Sequence, residues 1–133
     1  MGTELLGPLA LKALNVISHP VMLLDTDGRV LYVNDAMLGY VHLVTKRNWI
    51  QEQVLGIDVA ELHPPAAREA MRARLASVLA SLDVMPPRTN MVGDLLFVTY
   101  DRCLRDEHGE ALAVMMEKLP VCIQAPGGTS PLA

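Results

Sequence analysis

His63 lies in Gly56-Ile57-Asp58-Val59-Ala60-Glu61-Leu62-His63-Pro64-Pro65, which closes a long apolar connection and opens the longest helical pattern in the chain. An imidazole at that turn has two uses: it can hold a metal through a ring nitrogen, or it can cap a helix. The residues alone leave both open. Of the other histidines, His19 precedes Pro20 at a strand entry and His108 sits in a turn facing water. His42 falls in a segment of ambiguous pattern and is the rival ligand. Cys103 and Cys122 belong to no CxxC pair and make no disulfide framework, which points to a reduced, cytoplasmic protein. GxSxG, P-loop, GxGxxG and HExxH patterns are absent, so the expectation is a protein that is not an enzyme.

These residues need a scaffold, and 133 residues suffice for one domain with a real core. Aromatic residues make up only 4% while methionine occurs eight times, so any cavity is walled by aliphatic and thioether groups. The net charge of −4 and the lack of a basic stripe argue against direct nucleic-acid binding. No signal peptide and no apolar run long enough to span a membrane is expected.

Residues 4–17 carry Leu5, Leu6, Leu9, Leu14 and Ile17 at helical spacing, predicting an amphipathic helix from near Pro8 that packs on its own domain or on a second copy. Val21–Leu24 and Val30–Val33 flank Asp27-Gly28 and predict a hairpin, after which Asn34-Asp35 caps a helix. Residues 40–55 read as one or two short helical turns or an ordered loop, and Asp58 caps a turn through Leu62. Residues 64–82 predict a helix whose stripe is Ala67, Met71, Leu75, Val78 and Leu82, with Arg68 and Arg72 off it. Strands are expected at 89–92 and 95–100 about Gly93-Asp94, and at 111–116 after the Asp106–Gly109 turn. Residues 120–133 read as a linker or tail, giving a helix over 1–17, a domain over 18–119 and that tail. The fold class is α+β: a single five-stranded antiparallel sheet with helices enclosing a cavity on one face.

The Asp27-Gly28 hairpin running into Tyr32-Val33-Asn34-Asp35, with the Asp106-Glu107-His108-Gly109-Glu110 turn before an apolar strand, resembles a PAS domain over roughly residues 15–119. That resemblance implies a sensory or dimerising module for signal transduction. The photoactive-cysteine motif of flavin-binding relatives is absent. Gly56-Ile57-Asp58-Val59, Leu62-His63-Pro64 and the following Arg68 further resemble the haem-binding PAS domain of RcoM-type carbon-monoxide-responsive transcription regulators. The resemblance implies haem b, with His63 as fixed axial ligand and Met91 as the ferrous ligand that carbon monoxide displaces. A thioether favours ferrous iron and yields to a π-acceptor gas, while imidazole holds. Those regulators also use a cysteine as ferric ligand, and residues 81–85 contain none. Met85, Met115 and Met116 are rivals of Met91. Met71 is expected to pack against the pocket, and Arg68, Arg72, Lys46 and Arg47 to pair with haem propionates. The other expectation is a haem-free PAS module that dimerises or binds a small apolar metabolite.

Overall fold

A computed structural model of the chain describes residues 7–82 and 85–121. It consists of α1 (Gly7–Asn15), β1 (Val21–Leu24), β2 (Val30–Val33), α2 (Asp35–Thr45), α3 (Gln51–Val54), a 3-10 turn (Val59–Leu62), α4 (Pro65–Ala80), β3 (Arg88–Val92), β4 (Leu95–Arg105) and β5 (Ala111–Val121). The strands form one antiparallel sheet in the order β2-β1-β5-β4-β3. The α+β, five-stranded arrangement is the expected one.

The hairpin turn holds because Gly28 takes φ +83, a left-handed conformation that a side chain would strain. The Asp25 carboxylate accepts from the amides of Asp27 and Arg29, closing the turn from inside. The buried Asn34 then ties three elements together. Its Oδ1 accepts from the Val21 and Met37 amides, and its Nδ2 donates to the carbonyls of His19, Ile17 and Leu14. Asn34 is thus both the N-cap of α2 and the clamp on the entry to β1.

Residues 40–55 hold the rest of α2, then α3. Lys46 ends α2 in the left-handed region with φ 59. Asp58 caps the 3-10 turn by accepting from the Ala60 amide at 2.9 Å. Pro64 and Pro65 begin α4, where the first amides need no intrahelical partner. Met71 and Val78 are its buried residues, while Leu75 only packs at the edge of the core. Leu82, expected on the buried stripe, is 85% exposed, because α4 stops at Ala80 and the periodicity no longer applies beyond it.

β4 and β5 are each eleven residues, longer than the expected strands, because their mutual ladder runs from Leu96↔Val121 to Arg105↔Ala111. Pro120 and Val121 therefore belong to the sheet rather than to a tail. Residues 122–133, Leu5, Leu6 and Asp83 lie outside the described residues. α1 contributes no buried side chain to this copy of the fold.

Candidate functional site

Strand alternation decides what the sheet shows its helices. On β5, Val114, Met116 and Lys118 share one face; on β4, Phe97, Thr99 and Asp101 share it; on β3, Arg88, Asn90 and Val92 do. Opposite them stand α2 and the 3-10 turn. Between the two layers lies a cavity of ≈ 240 Å³. Met22, Met37, Val41, Val44, Val59 and Leu62 give it apolar walls, and His63 closes one side. Arg88, Asn90 and Lys118 make the sheet side polar, and Tyr40 of α2 faces them.

His63 is held by the turn it terminates. Its Nδ1–H donates to the Val59 carbonyl at 3.0 Å, because a carbonyl can only accept. That bond sets the tautomer and leaves Nε2 with its lone pair. Burial is the main cause pulling the imidazole below its ordinary pKa; the Val59 bond opposes it, and Lys118, Arg88 and Arg68 add to the lowering. At neutral pH the ring is therefore an uncharged base at a cavity wall.

The polar side is a network. Lys118 is 4% exposed, and its ammonium donates to Thr99 Oγ1 at 3.0 Å and lies 4.6 Å from the Tyr40 ring centroid. Burial is the chief cause that lowers its pKa to about 8, with Arg88 adding and Asp101 opposing. Asn90 Nδ2 donates to the Tyr40 hydroxyl at 2.8 Å, and Asn90 Oδ1 is buried with no partner among the described residues. Arg88 grips the buried Asp101 through Nε at 2.9 Å and Nη2 at 3.3 Å, and Arg74 reaches the same carboxylate at 3.0 Å. Burial alone would raise the Asp101 carboxyl, but the two arginines outweigh it and hold it below its ordinary value.

The expected site residues do not all converge. His63 borders the cavity as expected. Met91 borders it too, but alternation puts its side chain with Thr89 on the face away from Arg88 and Asn90, and it is 52% exposed. A neighbour on an edge strand is thus turned the wrong way for an iron bridge to His63. Of its rivals, Met116 is buried on the cavity face, Met115 has the opposite parity and Met85 lines a separate cleft. Met71 is core, beside a different cleft with Arg72 and Leu75. Arg72 points outward and pairs with Asp58 at 3.6 Å, while Arg68 donates to the His63 carbonyl at 3.2 Å from outside the cavity. Lys46 and Arg47 are exposed, and Arg47 stacks on Trp49. His42 donates to the Trp49 carbonyl at 2.6 Å and does not border the cavity. Lys118, Arg88, Asn90 and Tyr40 were not anticipated, although the parity of Lys118 with Val114 and Met116 was there to read.

The family model described as PAS fold matches residues 14–118. The chain belongs to the PAS family. Solved structures agree with this PAS fold at low identity. The PAS domain of BvgS from Bordetella pertussis is 20% identical with a TM-score of 0.68, covering 89% of this chain and 88% of that one. The Aer2 receptor of Vibrio cholerae, described as a dual PAS-haem oxygen sensor, is 16% identical with a TM-score of 0.56, over 77% and 93%. A sensory box sensor histidine kinase from Vibrio cholerae is 16% identical with a TM-score of 0.57, over 87% and 91%. No curated protein matches the chain. Among the described residues no helix is long and apolar enough to cross a membrane.

Proposed function

We propose that this PAS domain is a sensory module that admits a small molecule between His63 and Lys118 and reports its presence to an attached domain or partner in transcription regulation. The observation that carries the reading is the cavity: apolar walls meeting a buried lysine that makes no ion pair among the described residues. Convergent polar groups in a concave apolar site are what ligand recognition needs, and a buried ionisable group in such a cleft marks a candidate site. The module is cytoplasmic, non-enzymatic and dimeric through α1, whose Leu9 is 81% exposed beside Val16 at 82%. Val44→Trp, which fills the cavity from α2, is the test. The wild-type chain gains thermal stability from some members of a metabolite panel, and the variant, still folded by circular dichroism, gains none. An equal response from both would sink the reading.

A second reading has a specific observation in its favour. His63, with Nδ1 tied to a carbonyl and Nε2 free, is arranged as an imidazole ligand to haem b, and carbon monoxide would be the gas sensed. The iron end fits; the rest of the site does not. The cavity falls below the roughly 300 Å³ at which ligand pockets begin, its sheet wall is cationic, and Met91 is turned away. Haem therefore requires the β3 edge to move. Hemin titration decides: a Soret band that His63→Ala loses, and that carbon monoxide shifts after reduction, supports haem, while an absent band excludes it.

A further inference from the structure

Among the described residues the buried Lys118 ammonium makes no ion pair, and the Tyr40 hydroxyl beside it also has a proton to give. Arg74, Arg88 and Lys118 bring three positive charges to this region against the one negative charge of Asp101. Asp101 is already engaged by both arginines, so Lys118 is the cation left over. One bond to Thr99 uses one of its three N–H donors. Tyr40 Oη accepts from Asn90, and no acceptor for its own proton is found among the described residues. Asn90 Nδ2 holds the Tyr40 oxygen and so leaves the hydroxyl proton to point elsewhere, while Asn90 Oδ1, which can only accept, is buried without a partner among the described residues. An uncompensated buried charge is costly, and one at a cavity wall marks a candidate ligand site.

We propose that the cavity is a carboxylate site for a short aliphatic monocarboxylate, whose carboxylate accepts from Lys118 and from the Tyr40 hydroxyl and whose chain lies against Val41, Val44 and Leu62. One spare cation matches one negative charge, which selects monocarboxylates over dicarboxylates. The inference rests on the small-molecule reading above. It holds for a free acid, and a haem propionate is the other source of the same group.

Calorimetric titration and amide NMR of the full chain at pH 7 test it with acids from propionate to octanoate, and with 1-butanol, butylamine, succinate and hemin. One or more of the monocarboxylates binds with Kd below about 1 mM and moves the amides of Lys118, Thr99 and Asn90. Chain-matched 1-butanol and butylamine bind at least about tenfold more weakly. Lys118→Met abolishes acid binding, and Tyr40→Phe, which keeps the edge-on contact with Phe97, weakens it about tenfold. Butanol or butylamine binding as tightly as the acids would overturn the carboxylate assignment and leave the small-molecule reading standing; silence from every probe would also overturn the assignment, and the metabolite panel on wild type and Val44→Trp decides the small-molecule reading separately. Equal affinity in Lys118→Met and wild type would also overturn the carboxylate assignment. Hemin uptake that Lys118→Met and Tyr40→Phe weaken, with no response to free acids, would assign the carboxylate to the haem propionate.

Discussion

Lys118 is a stability liability that the fold keeps. It is ringed by Arg88 from β3, Asp101 from β4, Tyr40 from α2 and His63 from the turn before α4, and of the charged groups among these only Asp101 favours its charge. Its native pKa of about 8 lies below the ordinary 10.5. Between those values the unfolded chain binds a proton that the native chain does not, so stability rises with pH; below about 8 the full penalty applies. Lys118→Met should therefore stabilise the protein at pH 7, by about 1–4 kcal/mol, and flatten the rise between pH 8 and 10 in urea titrations. Destabilisation at pH 7 would mean that the lysine is a structural strut. Asp101 works in the opposite direction. Its lowered pKa supplies stability above the ordinary carboxylate value that is lost as pH falls through the lowered one. Asp101→Asn leaves Arg74, Arg88 and Lys118 without a counter-charge and should cost about 3–5 kcal/mol, read by the urea midpoint.

Among the elements, the junction of β1 and α2 depends on Asn34. Asn34→Ala strands the buried Val21 amide and the first-turn Met37 amide, and frees the carbonyls that Nδ2 holds. A loss of about 3 kcal/mol is expected in denaturant titration, with Asn34→Asp recovering part, since its carboxylate still accepts from both amides. The β1–β2 turn has a second constraint. A Cβ on Gly28 would stand 2.7 Å from Leu75 Cδ2 of α4, in a backbone conformation that already disfavours side chains. Gly28→Ala should cost about 1–2 kcal/mol, and trimming Leu75 to Ala in the same chain should relieve the clash but not the backbone strain. Both elements were legible in the sequence. Asp-Gly between β-type runs, and Asn-Asp ahead of an apolar run, are local chemistry that acts over a few residues.

For the whole molecule, the unpaired helix α1 carries the expectation of a dimer. It has no fully buried residue, Leu11 and Leu14 being half-buried, yet Tyr32 Oη donates to the Leu11 carbonyl and Asn34 reaches the Leu14 carbonyl, so its C-terminal end is anchored. An anchored nine-residue helix whose Leu9 is left to solvent is marginal without a partner. Leu9→Glu should convert a dimeric mass to a monomeric one in light scattering without shifting the cavity's ligand response. A wild-type monomer at high concentration would remove the dimer from the proposal.

Much of the fold followed from the sequence because it is built from short-range signals. The two strands of the first hairpin, the Asn34 cap, the Asp58 cap and the proline start of α4 each depend on residues within a turn of one another. Order, α+β class and a cavity between sheet and helices came with them. The site was only half legible. His63 stood out because its Leu-His-Pro setting is local, and its lone pair at a cavity wall is the structure's own addition. Tertiary structure decided the rest, through parity and register. A one-residue difference on β3 turned Met91 outward and Asn90 inward, since successive side chains of a strand face opposite ways. The β4–β5 register set Lys118 opposite Thr99, and the α2 crossing brought Tyr40 over its ammonium. Those contacts join residues far apart in the chain. No local signal carries them, and they make the cavity's sheet wall cationic rather than apolar.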